Sequence, residues 1–505
     1  MNTYVFFVGG TGARVLRSLS MLLASGVKID NDNKIIPVII DYDVHNGDLQ
    51  RTLEIVDIYK YINEAVYRIN DDTAEGFFRG RMATLSNIQT QDSGSKDVAV
   101  PIEDSFMIKA GEGNQTFAEY IGMETMSPET KDFLKLLYNA SSKEDIYTEL
   151  NLGLEVGFKG NPNIGSVIFN DVFKTNEFNY FRNSFTKEDR IFIVSSIFGG
   201  TGSSGLPQIV KKIRDITDKN NTDHLRRAVI GASVILPYFS VETDTRKKSA
   251  IDSGNFTSKA KAALDYYRRE INHQLQEIYY LADEPTSPYS NVEGGTEQKN
   301  PAHIVELLSA MSIVEFVNRD RSSMYDDNTG RPYKTKYYEY GITNKSNPIR
   351  LDNFFPGEEQ YLSQLTAFAY FYKFYVSLLP KSSRENYYKF LDFDSGKETI
   401  EFMRELDKFM HHYRKWLDEF SVSPTAFVPY NMQSEIGFNG MLGHKSVEGL
   451  DKKSIFKGGG SFFTDTMNNE LNRVKDSANP QPSRELFVKI AYNTCKAAEK
   501  LAANK

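Results

Sequence analysis

Apolar runs that empty into glycine recur along this chain. Residues 3–8 (TYVFFV) have strand character and lead into Gly9-Gly10-Thr11-Gly12, then into ARVLRSLSMLL, an amphipathic helix. The run Ile35 to Ile40 reads as a buried strand and ends at Asp41. The run Ile191 to Ile197 opens into Gly199-Gly200-Thr201-Gly202-Ser203-Ser204-Gly205, with the helix-compatible PQIVKKIRDI behind it. Residues 1–45 thus form a strand–loop–helix–strand unit, and 151–285 resume the alternation expected of an α/β, doubly wound parallel sheet. Between them, 50–150 read as a mostly helical insertion interrupted by polar, glycine-bearing stretches near QTQDSGSKD and KAGEGNQ. A turn-rich linker at 283–300 precedes a strong helix, PAHIVELLSAMSIVEFVN, with Pro301 near its first turn and apolar Ile304, Leu307, Leu308, Met311 and Val314. Beyond it, 358–379, 397–420, 464–476 and 482–502 read as helices, and strand signals are thin. The aromatic run QLTAFAYFYKFYVSLL is expected to pack on the core, and Lys457-Gly458-Gly459-Gly460-Ser461 reads as a loop, since no apolar strand precedes it.

The glycine turns carry the candidate chemistry. Glycine lets the backbone aim N–H groups at an anion, and a helix N-terminus behind them adds partial positive charge. Thr and Ser in such a turn add hydroxyl donors. No Walker lysine motif, G-x-x-x-x-G-K-[ST], occurs. A dinucleotide fingerprint would need a third glycine where Val15 stands, which disfavours that class, and Arg14 with the glycines interrupts any secretory signal. Asp41 and Asp43 fall at the carboxyl end of a strand, where open α/β sheets place ligands. Two acids two residues apart point the same way, so they suit one hydrated cation or, alternatively, a capped turn.

Composition narrows the setting. A chain of 505 residues supports a large core and about three domains. The lone cysteine, Cys495, cannot form an intrachain disulfide, which favours a reducing, cytoplasmic compartment. Net charge is −7 with both signs interspersed, so no nucleic-acid partner is expected. The histidines and the cysteine lack zinc-ligand spacing, and no apolar stretch reaches the roughly 18 residues of a spanning helix.

A third glycine turn, Gly157-Phe158-Lys159-Gly160-Asn161-Pro162-Asn163-Ile164-Gly165, completes a set that resembles the tubulin/FtsZ superfamily. G-x-x-G-N-P-x-x-G followed by G-G-T-G-x-x-x-x-P is similar to the third nucleotide loop and signature loop of the bacterial division protein FtsZ. Asp41-Tyr42-Asp43 looks like the acidic loop of tubulin. Pro237-Tyr238-Phe239 with Glu242 and Arg246 is similar to the stretch whose glutamate meets ribose and whose arginine meets phosphate. The colinear matches span residues 1–250 and identify a divergent prokaryotic tubulin-like protein. The resemblance implies a nucleotide-binding domain over 1–300, a long central helix at 301–320, and a divergent, largely helical C-terminal domain at 321–505. It also implies GTP/GDP held by Gly9, Gly10, Thr11, Gly12, Gly160, Asn161, Pro162, Gly199, Gly200, Thr201, Gly202, Ser203 and Ser204, with Mg2+ held through water near Asp41 and Asp43.

By the same resemblance, the first turn of the central helix recognises guanine. His303 would stack on the base and Glu306 would accept from its N1 and N2 donors; the alternatives are a packed capping histidine and a solvated helix face. The family's catalytic acid follows the central helix and completes the next subunit's site. Asn318-Arg319-Asp320 echoes that loop, and Asp326 and Asp327 are further candidates, although a simple polar loop remains the alternative. The resulting expectation is a GTPase that self-assembles head to tail. Two other classes stay open: a non-polymerising GTP-dependent switch that recruits proteins through the insertion and C-terminal helices, and a Rossmann-like nucleotide-dependent enzyme.

Overall fold

The computed structural model describes residues 1–30, 33–67, 75–89, 100–108, 115–138, 149–154, 158, 160–216, 223–241, 256–284, 288–289, 295–326, 331–339, 348–354, 357–391, 396–451, 461–475 and 483–503. Its centre is a seven-stranded sheet of β1 (Asn2–Val8), β2 (Lys34–Ile40), β3 (Met107–Ile108), β4 (Arg190–Ser196), β5 (Val229–Ile235), β6 (Glu277–Leu281) and β7 (Lys336–Glu339). The spatial order is β7-β6-β5-β4-β1-β2-β3, and every neighbouring pair is parallel. The inner strands β1, β2, β4 and β5 are covered on both faces and are buried almost throughout, whereas the edge strand β7 is largely exposed. Val5, Phe7, Ile39, Phe192 and Val194 join one core, while Tyr4, Phe6, Val8, Val38, Ile40, Ile191 and Ile193 join the other.

Helices α1 (Gly9–Ala24) and α2 (Gly47–Val66) lie on the first face. Among the described residues of the insertion, the longest later helix is α3 (Pro128–Leu137). The second face is built from α4 (Pro162–Ile168), α5 (Gly200–Arg214) and α6 (Phe256–Glu270). The expected central helix is α7 (Ile304–Asn318), packed beside α1 on the first face. The C-terminal helices α8 (Glu359–Ser377), α9 (Lys397–Val422), α10 (Phe462–Lys475) and α11 (Ser483–Ala503) fall close to their expected positions.

Two features differ from expectation. The insertion is less helical than its composition suggests: after Val66 the described residues are largely irregular, and Met107–Ile108 add a strand to the sheet beside β2. Both polar glycine-bearing stretches there lie largely outside the described residues, as do residues 457–460. A strand also appears after the central helix, where Lys336–Glu339 pairs with β6. Such short strands carry too few residues to show a period and are made by pairing with an existing edge. As expected for the aromatic run in α8, the C-terminal helices share one hydrophobic core with α1, α2 and α7, and Trp416 Nε1 donates to Ser18 Oγ at 3.2 Å, joining α9 to α1.

Candidate functional site

The strand order places a topological switch point between β1 and β4, since the chain builds outward from β1 through β2 to β3 and then from β4 toward β7. Open α/β sheets bind ligands in the crevice at the carboxyl ends of such strands. Both strands lead into the same tetrapeptide, Gly-Gly-Thr-Gly, which opens a helix, α1 or α5. The first N–H groups of a helix have no partner within it.

The glycines divide into two kinds. A Cβ at Gly12 would lie 2.6 Å from the Phe7 carbonyl carbon, and one at Gly202 would lie 2.6 Å from the Ser196 oxygen. These two glycines press each helix onto its own strand. Ser195 Oγ, donating to Gly202 O at 2.6 Å, fixes the second contact. A Cβ at Gly10, by contrast, meets only the far end of Arg14 at 4.0 Å. Gly10 and Gly199 are half-buried and form the outward lip of each turn.

The third turn lies against the second. Gly160 has φ +77°, a left-handed conformation that glycine adopts without strain. The Gly160 N lies 3.0 Å from where a Cβ at Gly200 would be, and Phe158 packs beneath it. On the other side, a Cβ at Gly9 (φ +72°) would touch Thr201 at 3.4 Å and Gly202 N at 3.5 Å. Three turns distant in sequence therefore meet in one place. Asn161 precedes α4 as its N-cap, and Pro162 is its first residue. The hydroxyls of Ser203 and Ser204 donate back to the carbonyls of Gly199 and Gly200, so here they brace the turn.

Asp41 is next after Ile40, which sits opposite Val8, so it lies beside the Gly9 turn. It is 6 % exposed, and burial pushes its carboxyl up to about 7, against hydrogen bonds from the Asp43 and Tyr42 backbones. Asp43 accepts from Gly295 N at 2.7 Å and is committed to that loop. No group of three or more acids, histidines or cysteines suited to a metal occurs among the described residues. A buried carboxylate with raised proton affinity suits a cation held partly through water, and these residues do not form a complete protein cage.

His303 and Glu306 both lie at the start of α7, fully buried. They form a reciprocal capping pair: His303 Nδ1 accepts from Val305 N at 3.2 Å, and Glu306 accepts from His303 N at 3.3 Å. His303 Nε2 lies 3.3 Å from Asp283 Oδ2. Glu306 Oε1 also accepts from Arg14 Nε at 2.7 Å and Tyr238 OH at 3.0 Å.

That contact opens onto a network the sequence did not disclose. Arg14 reaches Thr11 Oγ1 at 3.3 Å, Tyr238 OH at 2.5 Å and Asp48 at 3.4 Å. Arg17 pairs with Glu419 of α9 at 3.1 Å and lies 3.9 Å from Glu306, while Arg51 bridges Asp48 and Glu419, each at 2.6 Å. Arginines 14, 17 and 51 thus face acids 48, 306 and 419. Burial opposes the Arg14 charge, but Tyr238, Glu306 and Asp48 outweigh it and hold its pKa well above the ordinary value. For Arg17 burial dominates and lowers the pKa. The available signal was the pair of arginines at i and i+3 on an otherwise apolar helix, which must find acids on other elements.

The candidate catalytic acids sit elsewhere. Asp320 is exposed at the far end of α7, accepting from Ser322 N at 3.1 Å and Ser322 Oγ at 2.8 Å, and these bonds lower its pKa. Beside it Arg190, the first residue of β4, donates to the carbonyls of Phe316 at 3.0 Å and Arg319 at 2.6 Å, closing the helix end. The 15 residues of α7 span about 22 Å. Asp320 is therefore at the opposite edge of the sheet from the glycine turns. Asp326 pairs with Arg331 in a small hairpin. Asp327, Glu242 and Arg246 lie outside the described residues.

No protein-family model matches the chain. No curated protein matches it either. Among solved structures, CetZ2 from Haloferax volcanii, described as a GTPγS-bound protofilament, aligns at 12% identity and a TM-score of 0.28, over 65% of this chain and 61% of that one. CetZ1 from Haloferax volcanii, a GDP-bound monomer, aligns at 12% identity and a TM-score of 0.26, over 65% and 62%. The chain therefore spans less than two thirds of the length of these neighbours. No helix among the described residues is long and apolar enough to cross a membrane.

Proposed function

We propose that this protein is a tubulin/FtsZ-like guanine-nucleotide-binding protein whose phosphate site is the junction of its three glycine turns. The observation that carries the reading is their convergence at the β1/β4 switch point, with Gly9 against Thr201 and Gly200 against Gly160. Main-chain N–H groups of residues 9–11, Gly160 and residues 199–202 would hold the phosphates, helped by the N-termini of α1 and α5, with Asn161 and Pro162 shaping the third turn. Glu242 and Arg246 keep the ribose and phosphate roles that the resemblance implies. Magnesium, when bound, would neutralise phosphate charge, and Asp41 would hold it through water while Asp43 secures the adjoining loop. Guanine contact through His303 and Glu306 would require the Arg14–Glu306 pair to open.

Asp320 lies too far from its own glycine turns to orient water there, and it is exposed. It suits a head-to-tail assembly in which one subunit supplies the acid to the next subunit's nucleotide. GTP turnover per molecule should then rise with protein concentration. The deciding experiment is to denature purified protein and identify the released nucleotide by chromatography and mass, together with calorimetric titration of GTP, GDP and ATP. Recovery of guanine nucleotide and preferential GTP binding support the reading. Recovery of a dinucleotide would move the protein to the enzyme class that shares this strand order, and no binding of any nucleotide would end the proposal.

A further inference from the structure

A site built from backbone N–H groups lacks the full positive charge that a Walker lysine supplies elsewhere, and two cations among the described residues lie at the glycine turns: Arg14, paired with Glu306 and Asp48 beside the first turn, and Lys259 beside the third. Lys259, in the first turn of α6, donates from Nζ to Gly160 O at 2.8 Å. The same Nζ is 3.4 Å from where a Cβ on Gly160 would project. Helix α6 is moored a second time: Tyr267 OH, two turns on, donates to Ser203 O at 3.1 Å, and its ring is fully buried. One helix therefore grips two of the three turns, and its ammonium is placed at the one that curls over Gly200. Lys259 is half-buried, and Glu149 is an acid near enough to feel its charge.

We infer that Lys259 is a phosphate-binding residue of this site, supplying a charge directed at the polyphosphate chain while its bond to Gly160 O keeps the left-handed turn in place. The inference rests on the nucleotide-site reading above and deepens it: it assigns a charged phosphate contact to a residue of α6 that the sequence motifs do not include. An ammonium–phosphate contact is electrostatic and charge-assisted, so its strength should grow with the number of phosphates and fall with salt. A lysine that only braced the loop would weaken nucleotide binding without changing its salt dependence.

The test is calorimetric titration of the full chain with GTP, GDP, GMP and guanosine at low and high salt, comparing wild type with Lys259→Gln, Lys259→Arg and, as control, Lys261→Gln on the exposed side of the same helix. Lys259→Gln removes the charge and retains an N–H donor on a side chain one bond shorter. The expected result is a loss of about ten- to a hundredfold for GTP and GDP. Guanosine affinity should change little, the salt dependence should flatten, and Lys259→Arg should recover part of the loss. A salt dependence of GTP binding unchanged in Lys259→Gln, equal losses for guanosine and GTP, or GTP binding within twofold of wild type in Lys259→Gln would overturn the assignment. If wild type itself binds none of the four compounds, the site reading fails first and takes this assignment with it. Thermal melts of each variant separate a lost charge from a lost fold.

Discussion

Replacing Asp41 by Asn should stabilise the protein by an amount that grows as pH rises from about 4 to 7. The Asp41 carboxyl is buried and its pKa rises from 3.8 to about 7 because the fold withdraws it from water. The folded chain therefore holds this proton more tightly than the unfolded chain. Below about pH 4 both states are protonated and the site costs nothing. As pH climbs through 4 to 7 the unfolded state ionises first, and stability falls. Above 7 the cost levels off at the full difference, which is about three pKa units or ~4 kcal/mol. Asn keeps the size and removes the titration. Urea unfolding of both proteins at pH 4.5 and pH 8 should show a gain of about 1 kcal/mol for Asp41→Asn at the lower pH and of a few kcal/mol at the higher. Magnesium with nucleotide should shrink that gain, because a cation near Asp41 stabilises its charged form. A gain of the same size at both pH values would refute the reasoning, since it would show that packing and not ionisation is responsible.

The glycine turns, the buried network and the distal acid each give a further expected outcome. Gly10→Val should abolish GTP binding by calorimetry with little change in melting temperature, whereas Gly202→Ala should lower the melting temperature, because its Cβ would strike the Ser196 carbonyl at 2.6 Å. Glu306→Gln should destabilise the protein by about 3–5 kcal/mol in urea unfolding, since it leaves Arg14 and Arg17 facing a neutral group; a fully stable variant with an altered GTP-to-ATP preference would instead make Glu306 a base contact. Asp320→Ala should bind GTP as wild type does yet lose any concentration-dependent turnover in a phosphate-release assay, and unchanged turnover would remove Asp320 from the mechanism.

Much of the architecture was legible because it is local. The runs around Phe6, Ile39 and Ile193 are apolar at every position, which suits strands covered on both faces, and Gly9–Gly12 and Gly199–Gly202 mark abrupt strand-to-helix turns. The C-terminal helices were equally readable, since their apolar residues repeat over several turns. The short strands at Met107–Ile108 and Lys336–Glu339 were not, because two to four residues carry no periodic signal until a neighbouring edge binds them.

The sequence alone therefore determined where the chain could turn sharply, which segments would be buried, and which turns had the glycine content to receive an anion. Tertiary structure decided what each residue in those turns does. Gly12 and Gly202 became packing glycines because a strand backbone lies directly beneath them, while Gly10 stayed open to the crevice. Arg14 and Glu306 became partners because α1 and α7, separated by almost the whole sheet in sequence, lie side by side. A charged residue on a helix has the same sequence signature whether it faces water or an opposite charge; only packing brings the counter-charge and removes the solvent, and both terms act over a few ångströms of space rather than along the chain.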